Sequence, residues 1–385
     1  MKRKNILVPA IVLLLFISGC DITLNESHRK GNSSVPLQLE EREWRLVFLF
    51  LDENDLEDVA DADIRALAAW PDALGRTHRV ILRAGTWDGK SLETAAQGSL
   101  QRPEIPDLPM GSLLQGSTVS DALRIIDREF PARKQALFIA GHGRGWRGLG
   151  YSRSDPSLYL SAEELREVAQ AAPATYNLLV LDAGWSAFAE VLVELAGTPV
   201  DLVAAETNLA RWGIDYAGLL DALDGGTWSA RTMREAAGEA VMRAGGGAPA
   251  VQLSREQLSV LPAYLESLAV AGSGFLETEP AREALREHVM NRAAAATTPG
   301  DAHLRAGDLA EMLSGITPPP ENRAFESVLL HLVTVDELGL PAGHATTYRA
   351  GQEHREGPRF FRDLSWAPDF FQRSGFLFDL WYREY

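Results

Sequence analysis

Five short apolar runs recur along the middle of the chain: Leu46–Leu51, His78–Ala84, Ala136–Ala140, Leu178–Leu181 and Leu202–Ala205. They are apolar at successive rather than alternate positions, which is the pattern of strands covered on both faces. Between them, Leu56–Trp70, Val119–Phe130, Ala162–Ala171, Ala187–Leu195 and Tyr216–Leu223 space their apolar residues three and four apart, as one face of a helix requires. Strands and helices in alternation predict an α/β sandwich over residues 43–225, its sheet mostly parallel and flanked by helices.

The flanking regions have other patterns. Residues 230–315 are rich in Ala, Arg and Glu and read as helices, broken at Gly245–Gly247. Pro318–Pro320 ends that stretch, and Ser327–Val335 reads as a strand. Aromatics crowd Phe360–Tyr385, Trp366, Trp381 and Tyr382 among them, more in the manner of a core than of a binding belt. Residues 226–385 are therefore expected to form a C-terminal α+β region. At the other end, Lys2, Arg3 and Lys4 precede an apolar run, Ile6–Phe16, that is too short for a permanent membrane helix. With small residues after it, residues 1–19 read as a secretory signal peptide. Ile17-Ser18-Gly19-Cys20 resembles the bacterial lipobox, in which the thiol is acylated and becomes the new N-terminus. Residues 20–42 are polar and aperiodic and read as a tether from lipidated Cys20, with a reach of ~25 Å. The expected address is a lipid anchor on a bacterial membrane, inner or outer left open.

Composition narrows the chemistry. Of 385 residues, 46% are apolar and 23% charged, an ordinary globular balance. The net charge of −16 argues against nucleic acid and against electrostatic adhesion to anionic lipid, so attachment to the membrane falls to the acyl chains. A single cysteine excludes an intramolecular disulfide, a zinc–cysteine site and a redox pair. The eight histidines are scattered without metal spacing, and no cofactor motif is present; Gly245-Gly246-Gly247 follows a helix rather than a strand and reads as a loop. Asp52-x-Asn54 with Asp55, Glu57 and Asp58 lacks the glycine and the ligand spacing of a calcium loop, and capping of the following helix by Asn54 or Asp55 accounts for it better.

Two strand ends carry candidate chemistry, because ligands of open α/β sheets sit beyond the carboxyl ends of the strands. One is Gly141-His142-Gly143-Arg144-Gly145-Trp146; the other is Asp182-Ala183-Gly184-Trp185-Ser186. Glycines beside a histidine allow a sharp turn and a close backbone approach to a ligand, yet by itself such a turn suits a structural histidine equally well. The combination is more specific. Trp44–Glu57, with Asp52, Asn54, Asp55 and Leu56 after its strand, resembles the opening of the clostripain family of cysteine peptidases, related in fold to caspases and gingipains. His142-Gly143-x-Gly145-Trp146 resembles that family's catalytic-histidine motif. Tyr176–Ala183, Glu190–Leu195 and Val203–Glu206 resemble the segment around its nucleophile, which typically reads Asp-Ala-Cys, and Asp215-Tyr216 with Leu219–Leu223 continues the match. The resemblance spans residues 44 to 225 and implies a caspase-like sandwich.

It also implies a loss. Gly184 stands where the family has its catalytic cysteine, and glycine has no atom that attacks; Cys20 is remote and acylated. The family cleaves after Arg or Lys, held by acidic groups. Asp182 matches one of these, whereas the other falls at or near Trp212, where an indole would fill the pocket. What survives by resemblance is His142 as the base, and the N–H groups of Gly143 and Gly184 as an oxyanion hole. The leading expectation is a membrane-anchored pseudopeptidase that binds a peptide or protein partner without cutting it. A hydrolase that uses Ser186 with His142 is the first alternative, although N-capping is the commoner use of a serine at that position. Ser152, another loop serine, has no base beside it in sequence. The second alternative is a scaffold lipoprotein whose partner surface lies on the C-terminal region.

Overall fold

The computed structural model describes residues 39–263, apart from 85–91, 97–98, 104, 106–110, 144–147, 156, 172–175, 185, 188, 206–212, 225 and 247–249, together with the backbone of 294–295, 305–308 and 329–332. The predicted signal peptide, Cys20, the tether up to residue 38, and most of residues 264–385 with their aromatic tail lie outside the described residues; the last residue of the expected tether, Arg42, opens the first strand.

Each of the five predicted strands is present. They are β1 (Arg42–Leu51), β2 (Thr77–Arg83), β5 (Ala132–Gly141), β8 (Tyr176–Asp182) and β9 (Asp201–Ala205), mutually parallel in the order β9-β8-β5-β1-β2. Three antiparallel strands extend this array: β3 (Leu92–Ala96) and β4 (Ser99–Gln101) beyond β2, and β10 (Ala250–Leu253) beyond β9. The result is one eight-stranded, mostly parallel sheet. The sheet thus runs past residue 225, the limit expected from sequence. β10 pairs Val251 with Ala204 and Leu253 with Leu202, which carries the sandwich into the region expected to stand beyond it. A short hairpin, β6 (Gly148–Leu149) with β7 (Leu160–Ser161), rises from the loop after β5. Backbone strands β11 (Ala294–Ala295), β12 (Arg305–Asp308) and β13 (Leu329–Leu332) form a separate three-stranded antiparallel sheet. β13 lies inside the expected strand, whereas β11 and β12 fall where helices were expected: intrinsic propensity, even that of alanine and arginine, is a small term that tertiary pairing overrides.

The strands are apolar on both faces because helices cover both. Val47, Leu49 and Leu51 of β1 pack into one core, shared with α2 (Gly116–Glu129), α3 (Ala162–Ala171) and α4 (Ala189–Glu194). Leu46, Phe48 and Phe50 face the other, shared with α1 (Glu57–Ala69), α5 (Tyr216–Asp224) and α6 (Ala230–Ala244). Phe48 and Phe138 stack at 4.9 Å, and the ring of Tyr216 meets both edge-on. Arg45 breaks the apolar pattern of β1. Its fully buried guanidinium is held by the Gln135 side chain (2.5 Å), the carbonyls of Asp127 and Phe130, and the Asp127 carboxylate.

One carboxylate ties two of the helices of the first layer, α2 and α3, together. Glu164 Oε2 accepts from the N–H and hydroxyl of Ser161 (both 2.9 Å), while Ser161 Oγ accepts from Glu164 N–H, a reciprocal cap for α3. Its Oε1 accepts from Gly116 N–H at the start of α2 (3.1 Å). A Glu164→Ala chain is expected to lose about 1–2 kcal/mol, the range for a helix cap, measured as a lower urea midpoint at unchanged m-value.

Candidate functional site

The carboxyl ends of β1, β5 and β8 lie side by side, with Leu51 opposite Gly141 and Ala140 opposite Asp182. From β1 the chain passes to β2 on one side and then returns to β5, β8 and β9 on the other, so β1 and β5 form the topological switch point where such a sheet opens a crevice. His142 is the first residue past β5. It is therefore set between the β1–α1 turn on one flank and residue 184 on the other.

His142 is 5% exposed, and its Nε2 bonds Asp55 Oδ1 at 2.8 Å. The Tyr151 hydroxyl donates to the same oxygen (3.0 Å), and its ring stacks on the imidazole with centroids 5.2 Å apart. Partial burial acts to raise the Asp55 carboxyl. The hydrogen bond and charge of His142, with smaller help from backbone and from Tyr151, outweigh that and hold it below the usual carboxylate range. The imidazole is consequently oriented by a carboxylate and an aromatic ring, neither of which the sequence reading had singled out for it. Asn54 or Asp55 is expected from sequence to cap α1, and neither does: the N-cap residue is Leu56, with no side-chain cap. Asn54 Oδ1 accepts from Leu56 N–H (3.0 Å), closing an Asx turn, and the Asp55 carboxylate meets His142 beyond β5.

The loop after β5 is bound onto this turn. Asn54 Nδ2 donates to the carbonyls of Leu51 and Tyr151 (3.1 Å each), Arg153 N–H donates to Glu53 O (2.8 Å), and Ser154 Oγ donates to Glu53 Oε1 (3.3 Å). Ser152 is 1% exposed, with its hydroxyl in a local turn with Ser154 and Asp155. Asp52 is buried at the strand end and paired with Arg83, which also reaches Asp61. Among the described residues no group of His, Cys, Asp and Glu could hold a metal ion.

On the other flank, Gly143 and Gly184 lie main chain against main chain. A Cβ placed on Gly143 would fall inside the carbonyl group of Gly184 and 3.4 Å from its nitrogen, so only glycine permits the approach. Gly143 is bridged to Leu149, and Gly150 N–H donates to His142 O at 2.7 Å. In an antiparallel pairing of that kind the central residue's own N–H turns away from its partner. The structure thus gathers His142, Gly143 and Gly184, residues separated by some forty positions in the chain.

Asp182 and Ser186 are engaged elsewhere. Asp182, 2% exposed, accepts from Ile214 N–H (3.2 Å) and from the Tyr216 hydroxyl, which ties the end of β8 to the start of α5. Ser186 is fully buried: its Oγ accepts from Ala205 N–H (2.9 Å) and donates to Leu181 O (3.3 Å). It joins the ends of β8 and β9 rather than capping α4, and it makes no hydrogen bond to His142. Trp212, Trp185 and the Arg144–Arg147 part of the histidine turn lie outside the described residues.

Burial raises the Asp182 carboxyl to about 6 despite its two donors, and burial with the charges of Asp182 and Asp215 raises Asp63 on α1 to about 7. Both stand above the unfolded value near 3.8. The native state therefore holds protons that the unfolded chain has released, and stability falls as pH rises from about 4 to about 7. An Asp63→Asn chain is expected to be more stable than the parent at pH 8 and to show a flatter slope over that window. Urea titrations at pH 5 and pH 8 measure it; an unchanged slope would remove Asp63 as the cause.

No protein-family model and no curated protein matches the sequence. Solved structures do. One is an inactive zymogen C11 protease from Parabacteroides distasonis, at TM-score 0.57 and 13% identity over 86% of this chain and 99% of that one. Another is a secreted C11 cysteine protease from Bacteroides thetaiotaomicron in complex with an irreversible peptide inhibitor, at TM-score 0.50 and 15% identity over 74% and 80%. The fold is the clostripain-like, caspase-like α/β sandwich of C11 proteases.

Proposed function

We propose that this protein is an exported, lipid-anchored, clostripain-like pseudopeptidase that binds a peptide or protein partner without cleaving it. One observation carries the reading. The residue that lies against the His142–Gly143 turn, where the resemblance puts the nucleophile, is Gly184. A thiol peptidase needs a thiolate at that point, and His142 has no side chain there to activate. The residues around it are nonetheless held in order, with an oriented imidazole and two glycine backbones in contact. The engagement of the Ser186 hydroxyl with Leu181 and Ala205 counts against the serine-hydrolase alternative. Export draws support from the secreted C11 relative and from the leader pattern; the anchor rests on the Cys20 motif alone.

Protein lacking residues 1–20 is expected to leave fluorogenic Arg and Lys peptides intact and to take up no thiol- or serine-directed inhibitor. Turnover that disappears in His142→Ala would overturn the reading. Metabolic labelling with a palmitate analogue tests the anchor, with incorporation expected in the full chain and absent in Cys20→Ala.

A further inference from the structure

We propose that the groove between α2 and α3 binds a small aliphatic diamine or polyamine. The site shares no residue with the His142 turn and does not depend on the pseudopeptidase reading. The two helices meet tightly where α2 begins: a Cβ on Gly116 would lie 2.6 Å from the Glu164 Cβ. Further along, the facing positions are small or flexible polar residues, and a cavity of about 370 Å³ lies between the helices. Ser117, Ser120, Asp121 and Arg124 of α2, with Glu167 and Gln170 of α3, form its walls. At roughly 30 Å³ for each water of the liquid, that is room for about a dozen, more than a single ammonium fills.

The walls select a cation with several N–H groups. Arg124, the one cationic side chain among these residues, is paired with Asp121, and Arg166, next in sequence to Glu167, reaches Glu163 and Glu194 instead. The Glu167 carboxylate therefore enters no ion pair and no hydrogen bond among the described residues. Gln170 and Ala171 end α3, whose last turn contains no basic residue, so the negative end of that helix has no cation of its own. Ser120 is 4% exposed, and its hydroxyl meets no hydrogen-bond partner. Such a buried group is costly to leave unmet, and a ligand N–H supplies its donor. A primary ammonium carries three donors and a positive charge, which answers Glu167, Ser120 and the Gln170 carbonyl together. A second ammonium on the same chain meets Asp121, whose exposed pair with Arg124 is weakly held. An anion would be repelled by Glu167, and the walls offer no aromatic face for a sugar. No bond is made or broken on binding.

Titration calorimetry of the full chain in mild detergent and physiological salt, with putrescine and spermidine as probes, tests the site. Both are expected to bind one to one. Glu167→Gln, an exposed and nearly isosteric change, is expected to weaken them at least about tenfold, and Ser120→Ala about threefold. Glu239→Gln removes the same charge from an exposed position of α6, on the other face of the sheet, and is expected to leave both affinities unchanged. Equal losses in Glu167→Gln and Glu239→Gln, or a loss in neither, would show that the amines follow the net charge of the protein and overturn the site. Absence of binding overturns it as well. Butane-1,4-diol binding as tightly as putrescine would remove the cation from the argument. Nα-acetyllysine amide binding as tightly as putrescine would assign the cavity to a lysine side chain of a partner protein, and so overturn a free diamine as its occupant.

Discussion

A Gly143→Ala chain is expected to lose about 3 kcal/mol of stability, the upper end of the cost of overpacking, and the site with it. The added methyl would have to occupy the carbonyl group of Gly184. That neighbour is backbone at the end of a central strand, and unlike a flexible side chain it has no rotamer into which to retreat. β8 and the loop after β5 must move apart, and each is tied down on its far side, through Asp182 to Tyr216 and through Tyr151 to Asn54. For a domain of this size the loss corresponds to a drop of roughly 5–10 °C in melting temperature. Gly226→Ala is the control. A Cβ there meets only the Leu223 carbonyl, at 3.8 Å, and the change is expected to stay within about 0.5 kcal/mol. Equal behaviour of the two variants would show that residues 143 and 184 are not in contact in solution.

The second large effect is a gain. Gly184→Cys, made in a chain without Cys20, places one thiol next to His142. Next to the His142 imidazole, such a thiol is expected to have a depressed pKa and to alkylate at pH 6 about tenfold or more faster than a free cysteine. His142→Ala in that background is expected to return the rate to that of an ordinary thiol. Iodoacetamide rates between pH 5 and 9, followed by mass spectrometry, give both the rate and the thiol's titration. Cleavage of Arg or Lys reporters by the same variant is the further readout. Reactivity with cleavage shows that only the nucleophile has been lost. Reactivity without cleavage locates a second change in the substrate pocket, at the position that Trp212 is expected to fill.

The parallel core was legible in the chain because burial on both faces leaves consecutive apolar residues in each strand, such as Leu46–Leu51 and Val80–Leu82, and all five such runs form strands. The antiparallel additions were not. β3 is five residues long, β4 three and β10 four, the last in a region read from sequence as helical, so none carries a run that stands out from its surroundings. The site divides in the same way. His142 is marked by the glycines on either side of it, and both His142 and Gly184 by their places just past strand ends. Asp55 was visible as one acid among five in a turn, and nothing in its spacing told a helix cap from an imidazole partner. Tyr151 carried no signal at all, since its role depends on a loop folding back over β5.

The proposed address and the proposed loss of a nucleophile rest on sequence alone. That the chain has cysteine at 20 and glycine at 184 is residue identity, which no arrangement of the chain alters. Tertiary structure decided which groups meet. Strand order, set by the need to cover both faces of the sheet, brings the ends of β1, β5 and β8 together. That proximity makes Asp55 the partner of His142, removes Ser186 into the joint between β8 and β9, commits Asp182 to Tyr216, and presses Gly143 against Gly184.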